Sequence, residues 1–142
     1  MLVVHPTVQF LAILLTLYVF YLGLQRFRLL HLHQKVVFRW KRHVALGEVA
    51  LGVLLAGMLG GMAMVYTYWH RVIMTGIHAK IALMMVPFMI FGLFSGLYMN
   101  RKKKQRRILA LVHGLNNLAV LVMALSQIVS GSWVYRAFVL GG

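Results

Sequence analysis

The chain carries a single acidic residue, Glu48, among its 142 residues. It has no cysteine and only two prolines. Without cysteine there are no disulfides, no cysteine-ligated iron–sulfur clusters and no covalent c-type haem. A cofactor must therefore be held non-covalently, and by histidine if it is a metal. No polar block is long enough to fold separately, so one domain covering residues 1–142 is expected, with no soluble domain and no linker. The first apolar run begins at residue 2 with no basic segment before it, so no cleavable signal peptide is expected.

What is present is apolar and basic. Hydrophobic residues make up 62% of the sequence, where soluble domains have roughly half. A bilayer crossing needs about 20 mostly apolar residues. Four stretches qualify, near Val4–Leu24, His43–Tyr68, Val72–Met99 and Ile108–Val129. Short connections favour antiparallel neighbours, so the expected fold is all-α, a transmembrane up-down-up-down four-helix bundle. Helices one and three are then diagonal partners, as are two and four. Pro6 suits the first turn of helix one, and Pro87 falls within helix three, where a kink is expected.

The formal charge of +14 would also suit a nucleic-acid binder. The cations, however, lie between apolar spans. Arg26, Arg28, Lys35, Arg39, Lys41 and Arg42 fall between helices one and two; Arg101, Lys102, Lys103, Lys104, Arg106 and Arg107 fall between three and four. The opposite side has Arg71 in its loop and Arg136 in the tail. Membrane lipid, not nucleic acid, is the partner this distribution fits. Both basic loops should face the cytoplasm and both termini outward. The tail Ser130–Gly142 carries Trp133 and Tyr135 and is expected at the outer interface.

Each span has one histidine near its start. His5 and His78 fall at the outer level of the expected bundle, His43 and His113 at the inner level. Four histidines thus form two diagonal pairs, the arrangement two bis-histidine haems stacked across a membrane require. Ionisable residues within membrane helices are rare and usually functional. The plainer reading is helix-to-helix hydrogen bonding.

Fourteen residues beyond His43 is Gly57, and fourteen beyond His78 is Gly92. Four turns of helix return each glycine to roughly its histidine's face, about 21 Å along the axis and near the other pair's level. There a porphyrin face could approach the backbone; Gly60, Gly61 and Gly96 lie nearby. Glycine also mediates ordinary helix packing in membranes. Fourteen beyond His113 is Gln127, a candidate hydrogen-bond partner for a ligand imidazole or a propionate. His31, His33 and His70 read as solvated or interfacial, with His70 a rival ligand at the outer level. Glu48 has two readings: proton acceptor for a quinol near the inner pair, or ion-pair partner of the basic loops. Lys80 is placed to snorkel outward or meet a propionate. Asn116 and Asn117 are expected to satisfy each other, a carbonyl or an imidazole.

Several short motifs resemble the cytochrome b561 and ferric-reductase-like membrane cytochromes, in their small bacterial four-helix branch. They are His5-Pro6, Lys41-Arg42-His43 with Gly47, Gly76-Ile77-His78, and His113-Gly114 with Asn116-Asn117. The two further helices and the substrate motifs of the larger eukaryotic members are absent. The resemblance implies two non-covalent b-type haems, transmembrane electron transfer and a bacterial inner membrane. It carries iron-ligand status to His5, His43, His78 and His113 only. With no flavin or nucleotide motif, an electron-transfer subunit is expected rather than a complete enzyme. It would pass electrons between the quinone pool and a partner redox protein, within a larger complex. A histidine-based metal transporter and a non-redox structural membrane subunit are the alternatives.

Overall fold

The computed structural model describes residues 2–104 and 106–141. They form four long helices: α1 (Val4–His31), α2 (Trp40–Trp69), α3 (Ile77–Arg101) and α4 (Arg107–Tyr135). A single π-helical turn, Arg136–Leu140, follows α4 directly. No strand occurs among the described residues. At about 1.5 Å per residue, even the shortest helix exceeds the roughly 30 Å hydrocarbon layer of a bilayer.

The helices pack as a transmembrane four-helix bundle. α1 lies against α2 and α4, and α3 lies against α4 and α2. The diagonal pairs α1–α3 and α2–α4 do not touch through their backbones. The α1–α2 and α3–α4 seams are the more extensive, so the bundle consists of two helical hairpins laid together. One end carries the α1–α2 and α3–α4 connections; the other carries the α2–α3 connection and the chain ends.

The inside is narrow. Ala12, Ile13, Leu51, Leu54, Met85, Met89, Val120 and Ala124 form its core. The outside is as greasy as the inside: Phe94 is 64% exposed and Val129 73%. An apolar surface of this extent requires lipid around it. Hydroxyls within the spans bond back to the helix instead of remaining unpaired. Thr16 Oγ1 donates to the Ala12 carbonyl at 2.7 Å, and Ser126 Oγ donates to Met123 at 2.7 Å. In hydrocarbon no water is available to serve them.

The helix ends differ from the expected spans. α1 continues seven residues past Leu24, because Gln25–His31 contains good helix formers and no breaker. The bilayer ends the apolar run, not the helix. α2 begins at Trp40, ahead of His43. α3 begins at Ile77 instead of Val72. Gly76 precedes it at φ 58° and ψ −124°, a conformation only glycine adopts readily, and there the chain turns into α3. α4 runs six residues past Val129 to Tyr135, so the first part of the expected tail, Ser130–Tyr135, is helical. α3 remains a single helix through Pro87.

Met89 is 2% exposed at the centre of the core. Met89→Ala should cost about 2–5 kcal/mol. Phe94→Ala, on the lipid face, should change stability far less. Thermal unfolding of the two variants in detergent checks this.

A candidate site of paired histidines

The bundle brings the four span histidines together in twos, across its diagonals. The His5 (α1) and His78 (α3) ring centroids are 6.5 Å apart, with planes at 84°. The His43 (α2) and His113 (α4) centroids are 6.3 Å apart, with planes at 76°. No backbone contact links either diagonal, so the imidazoles themselves span the middle of the bundle. The first pair lies near the chain ends, the second near the two basic connections.

The separation is informative. A direct imidazole–imidazole hydrogen bond, about 2.9 Å between nitrogens, would place the centroids roughly 5.2 Å apart. Two imidazoles on one metal, each bonded at about 2.0 Å, have centroids roughly 6.3 Å apart. Both pairs are wider than a direct bond and close to the spacing of two imidazoles on opposite sides of one metal, a distance that edge-to-face ring packing also spans.

Each ring also rests on a glycine of the neighbouring helix in its own hairpin. A Cβ added to Gly61 would lie 2.7 Å from the His5 ring, and one on Gly23 would lie 3.1 Å from the His43 ring. In the other hairpin a Cβ on Gly131 would lie 3.1 Å from His78, and one on Gly96 would lie 3.3 Å from His113. These are distances that a real side chain meets only by displacing the ring. The sequence holds a regularity behind this. His5–Gly23, His43–Gly61, His78–Gly96 and His113–Gly131 are all eighteen residues apart. Eighteen residues are five turns at 3.6 per turn, so histidine and glycine share a face about 27 Å apart. Within each hairpin the two antiparallel helices exchange these contacts, ring to glycine at both ends. The chain is therefore a repeat of one hairpin pattern.

The expected partners fourteen residues on occupy the anticipated levels but touch other groups. Gly57 lies beneath the side chain of Gln9. Gly92 is buried against Asn117 and Asn116; a Cβ there would be 2.7 Å from Asn117 Oδ1. Gly60 meets nothing across the bundle. Gln127 donates through Nε2 to the His78 carbonyl at 3.0 Å, and its Oε1 accepts from Ser130 at 2.9 Å.

The outer ring nitrogens have acceptors. His43 Nδ1 lies 3.1 Å from the Val19 carbonyl, which can only accept. His113 Nδ1 lies 2.8 Å from Ser95 Oγ, and that hydroxyl donates its proton to the Phe91 carbonyl at 2.6 Å. His78 Nδ1 lies 3.0 Å from Ser130 Oγ, whose proton goes to Gln127. A hydroxyl that has given its proton away accepts, so in all three rings the network assigns the hydrogen to Nδ1. Nε2 is then the unprotonated nitrogen; at His113 the Asn117 Nδ2 amide stands 3.4 Å from both ring nitrogens. Metal-bound histidines are held in this way, the second nitrogen donating to a carbonyl or another acceptor.

Around His5 and His78 lies a cavity of about 610 Å³, which also reaches Gln9, Gln127, Arg136 and Phe138. Its wall is almost wholly apolar. Gln9 Nε2 is buried with no hydrogen-bond partner, a donor with nothing to receive its proton. At the His5–His78 level the residues fit a flat, apolar, histidine-held group: two imidazoles paired across the diagonal, glycine clearance at each ring and an apolar chamber.

The other histidines stay apart. His31 stacks on Phe27 at 5.1 Å. His33 lies beyond α1 with φ 52°. His70, the left-handed cap of α2, is exposed and joins neither pair. Glu48 and Lys80 are exposed. Asn116 donates to the Phe88 carbonyl at 2.8 Å, tying α4 to α3, and Asn117 donates to the His113 carbonyl at 2.8 Å. Among the described residues no three histidine, aspartate or glutamate side chains converge as an ion site would need. No known family model matches the chain, and no curated protein or solved structure matches it.

Gly61→Leu should displace the His5 ring and destabilise the bundle by about 1–3 kcal/mol, the usual range for overpacking. Gly52→Leu, where nothing lies within 4 Å, should be tolerated. Thermal melts of the two purified variants compare them.

Proposed function

We propose that this chain is a membrane dihaem cytochrome b, of the type its motifs resemble, that carries electrons across the bilayer. One observation supports this above others. Two diagonal histidine pairs, at opposite ends of the bundle, stand 6.5 and 6.3 Å apart centre to centre, wide enough for one metal between each pair. His5 and His78 would hold one b-type haem; His43 and His113 would hold the other. Bound haem supplies one-electron redox chemistry. The chain orients the imidazoles, keeps Nε2 unprotonated and excludes water with apolar side chains. Val19 and Gly23, at the His43 level, are fourteen and eighteen residues from His5. The two sites are therefore roughly 21–27 Å apart along the axis.

By the positive-inside rule the basic connections face the cytoplasm and the chain ends face outward. The His43–His113 site is then the inner one. In a bacterial inner membrane the exchange partners would be the quinone pool and a partner redox protein, with this chain as one subunit of a larger complex. A transporter reading needs a cluster of ion ligands near the midplane, and the histidines come instead in twos at the two ends.

Purified protein should show the sharp reduced-minus-oxidised bands of b-type haem, with two haems per chain. His5→Ala and His78→Ala should abolish one spectral component; His43→Ala and His113→Ala should abolish the other. A colourless protein sinks the proposal, and loss of the same component in His5→Ala and His43→Ala sinks the pairing.

A further inference from the structure

Each pair joins two differently supported rings. In the α1–α2 hairpin, the His43 Nδ1–H meets a main-chain carbonyl, Val19. His5, in the same hairpin, rests on Gly61, which no serine precedes. In the α3–α4 hairpin the acceptor is a serine hydroxyl: Ser95 for His113 at 2.8 Å and Ser130 for His78 at 3.0 Å. Both serines stand immediately before the glycine that the ring rests on, in Ser95-Gly96 and Ser130-Gly131. The corresponding positions in the first hairpin are Leu22 and Gly60, which have no hydroxyl. The Ser-Gly dipeptide thus recurs on facing helices seventeen and eighteen residues after His78 and His113. There it offers each ring one acceptor and one clearance.

From this geometry we infer that Ser95 and Ser130 are positioning residues that fix the tautomer of His113 and His78 and set the redox balance of one haem each. The inference rests on the dihaem reading for its redox part; the tautomer part does not need haem. The two relays are not equivalent. Ser95 passes its proton to the Phe91 carbonyl at 2.6 Å, with the Gly92 carbonyl at 3.2 Å, so main chain holds it at fixed orientation. Ser130 passes its proton to Gln127 Oε1, and Gln127 Nε2 returns to the His78 carbonyl, closing a ring of side-chain bonds around His78. Hydrogen-bond donation from Nδ1 to Oγ moves electron density onto the imidazole and makes Nε2 the stronger donor. A stronger donor favours the more highly charged ferric ion. Removal of the hydroxyl favours the ferrous ion and raises the potential of the haem concerned. No bond forms or breaks in this; the serines act only through the ring they hold.

Full-length protein in lipid nanodiscs is titrated electrochemically, following the two spectral components separately. Ser95→Ala should raise the potential of the component that His113→Ala abolishes and leave the other unmoved. Ser130→Ala should do the converse for the His78 component. The expected change is roughly three- to tenfold in the ferric-to-ferrous ratio at fixed ambient potential, tenfold being 59 mV for one electron. Ser95→Thr and Ser130→Thr, which keep the hydroxyl, should retain wild-type values. Unmoved potentials in both alanine variants, or an equal shift of both components, overturn the redox part. Nitrogen-15 NMR of haem-free protein tests the tautomer part. His113 and His78 should show the Nδ1–H form in wild type and a mixture of forms in the matching alanine variant. Unchanged nitrogen shifts overturn it. A wild-type protein that never binds haem overturns the dihaem reading and the redox part, while the nitrogen shifts still decide the tautomer part.

Discussion

Four contacts between an imidazole ring and a glycine backbone set the geometry of this molecule. Gly23, Gly61, Gly96 and Gly131 each lie where one added carbon would come within 2.7–3.3 Å of a histidine ring. The glycines let paired helices approach closely enough for the ring to lean into the middle of the bundle. From that position it meets its diagonal partner, although the diagonal helices do not touch. The core holds Ile13, Leu54, Met85 and Met89 beside short residues such as Ala12 and Ala124, and many other large apolar side chains face lipid. In a bilayer the outward side chains are no burden, since lipid tails are as apolar as leucine. At the levels of the rings the inside can then be shaped by clearance.

Much of this was legible in the sequence. Four apolar runs and two basic connections define the spans and their alternation, because hydrocarbon thickness and backbone hydrogen bonding leave a membrane chain few choices. One histidine near the start of each run, with alternating direction, is enough to infer two levels and two diagonal pairs, and the helix seams agree. The glycine register was less legible. Gly57 and Gly92 lie at the expected levels, yet the glycines under the rings are four residues further on. The eighteen-residue spacing is hidden when α4 is ended at Val129, for then Gly131 falls outside any helix. It is hidden again in α1, where Gly23 sits at the edge of the apolar run. Hydropathy reports where lipid stops, and both these helices continue past that point.

Polar detail was least legible. Ser95 and Ser130 are unremarkable letters in an apolar string, since small hydroxyl residues normally bond to their own helix in a membrane. Ser95 does this too, with Phe91, and in doing so presents its lone pair to His113. Gln127 was identified from spacing as a possible imidazole partner, and it reaches His78 through the Ser130 hydroxyl and through the main-chain carbonyl. Gln9 carries no pattern in the sequence; its unpartnered amide is significant only within the chamber near the chain ends.

The unequal seams of the bundle have a consequence for assembly. Each hairpin is knitted along its length, whereas the two hairpins touch one another less. Each histidine pair draws one ring from either hairpin. On the dihaem reading, an iron bound between those rings is a rivet through the weaker joint, and two such rivets fasten its opposite ends.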